Sequence, residues 1–216
     1  MKKFIFAILM CVSSAVVFAQ DNSQPVVAVS NTRMNIIYTG VNNSLDIAVA
    51  GVADNDLVVS ISNGTMEKEA PGRFSVLVMS PGRTVIELFV RENGNLTKIG
   101  EKEFRVKLVP DPEVVIGKEG SGATFKKAVL AAQLDVRAVL DNFDYDVKFQ
   151  VESFTLCATI DGKEECISAE GSAFKSEQKL LINRLNSGDK VIIKDVKVKG
   201  PDNKVRDLKP AIFTIE

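Results

Sequence analysis

The chain has 216 residues, 27 Lys and Arg against 28 Asp and Glu, and neither His nor Trp. A formal net charge of −1 speaks against the broad basic surface that nucleic acid or an anionic membrane requires. Without His the commonest general base and metal ligand are missing, and without Trp so is the flattest platform for a sugar ring, which weighs against an enzyme or a glycan binder.

Lys2 and Lys3 precede an apolar stretch over residues 4–12, and Val17-Phe18-Ala19 offers the positions a signal peptidase reads, with Gln20 as the new N-terminus. The apolar run meets Ser13-Ser14 well short of the ~20 residues of a membrane span. Cys11 raises the alternative of a lipid anchor, but Leu9-Met10 are bulkier than a lipidation signal takes. The reading is a signal peptide over residues 1–19, cleaved after Ala19, with a periplasmic location and the cell surface as the lesser alternative. Cleavage leaves 197 of the 216 residues, enough for one large or two small domains, and removes two lysines. No later apolar run reaches spanning length, so no membrane span is expected in the mature chain.

Short apolar runs follow over residues 26–29, 34–38, 45–50, 57–61, 73–79, 83–91 and 96–109. Leu45-Ile47-Val49 and Phe74-Val76-Val78 alternate as one face of a strand does. Asn42-Asn43, Ser62-Asn63-Gly64, Ala70-Pro71-Gly72, Ser80-Pro81-Gly82 and Asn93-Gly94-Asn95 read as turns. About seven short strands so spaced predict an immunoglobulin-like β-sandwich of two antiparallel sheets over residues 25–109.

Val109-Pro110-Asp111-Pro112 suits a boundary, because two prolines so close cannot occupy a central strand. Beyond it, residues 113–216 read as an α+β domain of mostly antiparallel sheet with two short helices. One helix is predicted over residues 126–133, after the glycine-rich residues 117–122. The other covers residues 177–186, with Ser176 as its cap, Gly188 as its stop and Leu181, Ile182 and Leu185 as its apolar side. The clearest strands cover residues 143–160, 190–199 and 211–215. The chain as a whole is expected to be mainly β.

Cys11 leaves with the signal peptide, and Cys157 and Cys166 remain. Asp161-Gly162 between strand-like runs is a strong hairpin signal. Counting outward from that turn sets Ile160 opposite Lys163 and Cys157 opposite Cys166, on a non-hydrogen-bonded pair where Cα atoms approach to about 4.5 Å. A cross-strand disulfide in an oxidising compartment is expected. A redox-active pair would rather be Cys-X-X-Cys beside a helix.

Other candidates for chemistry reduce to simpler readings. Asp141, Asp144 and Asp146 could hold calcium, but read as a turn and the solvated face of a strand; Asp54, Asn55 and Asp56 read as a turn. Ser176 and Lys179 have Ser-x-x-Lys spacing but open a helix, and residues 117–122 lack the Lys and Ser/Thr of a phosphate loop. Asn42, Asn63 and Asn95 head Asn-x-Ser/Thr triplets and read as turns. No catalytic, cofactor-binding or metal-ligating residue is assigned, and no cofactor is expected.

A resemblance adds to this. Met34-Asn35-Ile36-Ile37-Tyr38-Thr39-Gly40-Val41, Ile61-Ser62-Asn63-Gly64-Thr65 and Glu103-Phe104-Arg105-Val106-Lys107-Leu108-Val109-Pro110-Asp111-Pro112 are similar to the periplasmic C-terminal half of the GldM (PorM) family of Bacteroidetes. So are Asn142-Phe143-Asp144-Tyr145, Phe174-Lys175-Ser176-Glu177-Gln178 and Gly200-Pro201-Asp202. The resemblance implies a non-catalytic scaffold of gliding motility or type IX secretion that joins envelope proteins. Outer-membrane-associated ring components are its implied partners, with a homodimer as a further possibility. The family's transmembrane helix and long helical periplasmic domain have no counterpart in this sequence, so export is expected to stand in place of anchoring. The alternative function is an envelope β-sandwich that binds a glycan or small ligand.

Overall fold

The computed structural model describes residues 34–216; the expected signal peptide over residues 1–19 and the expected strand over residues 26–29 lie outside them. No helix among the described residues is long and apolar enough to cross a membrane. The described residues form one compact unit.

The first seven strands are β1 (Ile36–Tyr38), β2 (Asn42–Asp46), β3 (Leu57–Ile61), β4 (Thr65–Ala70), β5 (Arg73–Leu77), β6 (Gly82–Glu92) and β7 (Asn95–Lys107). They make a four-stranded sheet in the order β1-β7-β6-β3 and a three-stranded sheet in the order β2-β5-β4. Ile37, Val76, Val78, Ile86 and Val106 are buried between them, as the period-2 alternation requires. One pairing departs from the antiparallel expectation: β1 runs parallel to β7, Ile37 beside Val106.

Two strands differ from the sequence expectation: β4 falls where none is predicted, and β2 is shifted from residues 45–50. β4 is nearly all exposed and polar, so no apolar alternation marks it. β2 starts at Asn42 and stops at Asp46 because its partner β5 begins at Arg73, just after the turn glycine Gly72. Residues 48–50 therefore have no strand to pair with, and the pair read as the turn Asn42-Asn43 is strand instead.

The second set is β8 (Glu113–Ile116), β9 (Thr124–Phe125), α1 (Lys127–Ala131), β10 (Val136–Val139), β11 (Gln150–Ile160), β12 (Lys163–Glu170), α2 (Ser176–Asn183), β13 (Lys190–Lys199), β14 (Val205–Asp207) and β15 (Ala211–Ile215). One sheet runs β12-β11-β13-β15-β9 with β14 on β13, and β10 and β8 pair separately. Only β9 breaks its antiparallel pattern, lying parallel to β15. Phe154 meets Phe174 edge-on at 5.6 Å, and Phe125 meets Phe213 at the same separation, in a core that Leu156, Leu181, Ile182 and Leu185 fill.

Helix α2 ends at Asn183 rather than residue 186, and its cap is not Ser176. Lys175 is the extended cap residue, and its N–H donates to Gln178 Oε1 at 2.9 Å, half of a capping box. The Gln178 amide, fully buried, donates to Ile167 O at 2.9 Å and so ties the helix to β12. Gly188, at φ 92°, serves the turn into β13 instead, its N–H bonded to Ile215 O. The glycine-rich loop over residues 117–122 is fastened: the Gly122 N–H donates to Ile212 O, and Ser121 Oγ accepts from the Ile212 N–H. β9 separates it from α1, so it does not open a helix. The strand expected over residues 143–160 begins only at Gln150.

Candidate functional site

The candidates for chemistry stay apart. Asp141, Asp144 and Asp146 are exposed on an irregular segment rather than a strand face. Asp54 accepts the Gly72 N–H at 2.7 Å and pairs with Lys68, whose ammonium holds the Asp54 carboxyl below its ordinary value; this is turn structure. Ser176 and Lys179 sit within α2. The Asn-x-Ser/Thr positions divide: Asn63 lies in the turn after β3, while Asn42 and Asn95 are the first residues of β2 and β7.

Cys157 and Cys166 face each other across β11 and β12 with Cα atoms 4.1 Å apart and sulfurs in bonding contact. The turn carries Asp161 at φ 52° and Gly162 at φ 76°, the two positive values a two-residue hairpin needs. Arg184, the residue that caps the end of α2, grips Glu165 on the same hairpin with two bonds of 2.6 and 2.8 Å, which hold the Glu165 carboxyl below its ordinary value. The expected intact mass is two hydrogens below that of the dithiol chain, and reduction should cost up to about 3 kcal/mol for so short a loop. Mass spectrometry and denaturation with and without reductant check both.

The densest polar and aromatic arrangement lies where the first sheets meet the second set. Tyr38 of β1 meets Phe143 edge-on at 4.9 Å and Tyr145 at 5.8 Å, and those two rings are 5.4 Å apart. The Tyr145 hydroxyl donates to Asn43 Oδ1 at 3.2 Å. This docking draws residues 143–149 out of line with β11, and Asn142 turns the chain at φ 55°.

Asn43 is the hub. It is 2% exposed, and its amide donates to Tyr38 O, Val41 O and Val76 O at 3.0, 2.9 and 3.2 Å, while its Oδ1 accepts the Tyr38 N–H at 2.9 Å. A buried side-chain amide so fully partnered fixes β1, β2 and β5 together at the surface where Tyr145 lands. Burial, with Tyr38 and Asp144 close by, pushes the Tyr145 phenol above its ordinary value. A raised folded-state value means this contribution is whole below about pH 10 and is lost as pH rises through the raised value. Unfolding measured from pH 8 to 11 should therefore show an extra alkaline loss that Tyr145→Phe abolishes.

On the other side of the junction Arg206 of β14 does the same work with charge. Its guanidinium donates to Val109 O at 2.7 Å and to Asp202 Oδ2 at 3.0 Å, reaches Asp111 at 3.4 Å, and stacks on the Phe149 ring at 5.7 Å. The Asp202 side chain is fully buried, and that of Arg206 is 11% exposed. Between the two clusters Gly40, at φ 71°, presses its Cα face on the backbone of Pro201 and Asp202, where a Cβ would collide. Thr39 next to it keeps a buried hydroxyl that has no partner among the described residues.

The profile of the GldM third domain matches residues 26–107, and that of the GldM C-terminal domain matches residues 110–216. The chain belongs to the GldM family. No curated protein matches it. The junction lies where one GldM match gives way to the other: Arg206, inside the C-terminal match, holds the carbonyl of Val109 between the two. Sequence reasoning singled out residues 109–112 but missed Asn43, Arg206 and Gly40. Of these only Gly40, inside the resemblance, carried any signal.

Proposed function

We propose that this chain is a non-catalytic periplasmic scaffold that binds other envelope proteins and is tied to gliding motility or type IX secretion. In this reading residues 25–109 and 113–216 are two domains held as one body, exported behind the signal peptide over residues 1–19. The junction carries the proposal: a buried Asp202–Arg206 pair, the Asn43 hub and the three-ring cluster resist hinge motion. A body that transmits position between partners needs that stiffness. The family membership supports the same reading, since the implied partners are ring components of the outer membrane, with a second copy as the alternative occupant.

The test is photo-crosslinking in living cells from exposed positions on both halves, followed by identification of the adducts. Adducts with envelope proteins of the secretion or motility system are expected. Adducts with the chain itself alone, or recovery only of glycan, would overturn the proposal.

A further inference from the structure

A groove of about 730 Å³ runs between β10 and the segment leading into β11. Its first wall is an open strand edge. β10 pairs with β8 on one side only, and the Val136 N–H turns the other way to bond Ser172 O. Alternation then aims the N–H and C=O of Ala138 into the groove as well, and no other backbone group among the described residues meets them. The opposite wall is residues 145–149, an irregular run that makes no backbone hydrogen bond among the described residues. Tyr145 anchors that wall through Asn43. Ala138, Leu140, Val147 and Phe149 are only half-buried along it.

Backbone donors and acceptors exposed on two facing walls are met by one kind of ligand, an extended chain that offers both along its length. Charge narrows the choice. Arg137 and Lys148 stand exposed among the lining residues and have no ion pair among the described residues, against the single lining carboxylate of Asp146. We infer that the groove takes one extended peptide strand of a partner protein, with apolar side chains at alternate positions and an acidic residue set against Arg137 and Lys148. This rests on the protein-binding function proposed above and adds the partner's chemistry to it.

The test pans a displayed library of random ten-residue peptides on the mature protein, then titrates the enriched peptides into isotope-labelled protein. Enriched sequences should alternate apolar residues around an acidic one. They should shift the amides of Ala138, Leu140, Val147 and Phe149, and lose affinity about tenfold or more against the Arg137→Glu, Lys148→Glu double variant. Replacing alternate peptide residues by proline should abolish binding without touching the protein. Absence of enrichment, shifts elsewhere, or binding indifferent to the double variant would overturn the inference. Equally damaging would be groove shifts that follow protein concentration alone, which would make a second copy the occupant. None of these outcomes bears on the crosslinking of the wild-type chain, so the two proposals fail separately.

Discussion

Arg206→Ala should lower the unfolding free energy by about 3–5 kcal/mol, because it strands the Asp202 carboxylate, fully buried, and removes the donor to Val109 O. Asp111, 69% exposed at the rim of the same cluster, should tolerate alanine within about 1 kcal/mol. Arg206→Lys keeps the charge but not the fork that reaches Asp202 and Val109 together, so it should fall between the two. Denaturant unfolding of the three variants checks the order. A loss as small as that of Asp111→Ala would mean that the guanidinium contributes no more than a surface ion pair.

Gly40→Ala should cost roughly 2–4 kcal/mol, for two reasons that act together. Its φ of 71° disfavours any side chain, and the new Cβ would occupy the space of the Pro201–Asp202 backbone. Relief comes by parting the junction, not by disturbing either core. Amide exchange should therefore quicken around Gly40, Val78 and Asp202 while Ile86 and Phe213 stay protected. Gly94, also at positive φ but with nothing near its Cβ position, is the control for the backbone term alone. Gly94→Ala should cost about 1 kcal/mol.

How far these residues could be read in advance follows from what each one does. The strands β3, β13 and β15 have the bounds predicted, because alternating apolar residues stop at turn chemistry on both sides. The cysteine register follows from a two-residue turn whose geometry is local. β4 shows no apolar alternation, so nothing in its residues separates it from a loop. Residues 143–149 mislead in the opposite sense: Phe143, Tyr145, Val147 and Phe149 alternate like a strand, but their side chains serve the junction and the groove instead of a sheet. Across the junction Asn43 and Arg206 reach partners 102 and 97 residues away, and spacing within a motif cannot report such contacts. Gln178 is similar, since an exposed-looking polar residue in a helix gives no sign that it will be buried against β12.

The halves on either side of residues 109–112 are expected to move as one body. Spin labels carried by unnatural amino acids at Glu92 and Lys163, both exposed, leave Cys157 and Cys166 untouched. Pulsed dipolar spectroscopy between them should give one narrow distance distribution in the wild-type protein, which broadens in Arg206→Ala. A broad or two-peaked distribution in the wild-type protein would contradict it.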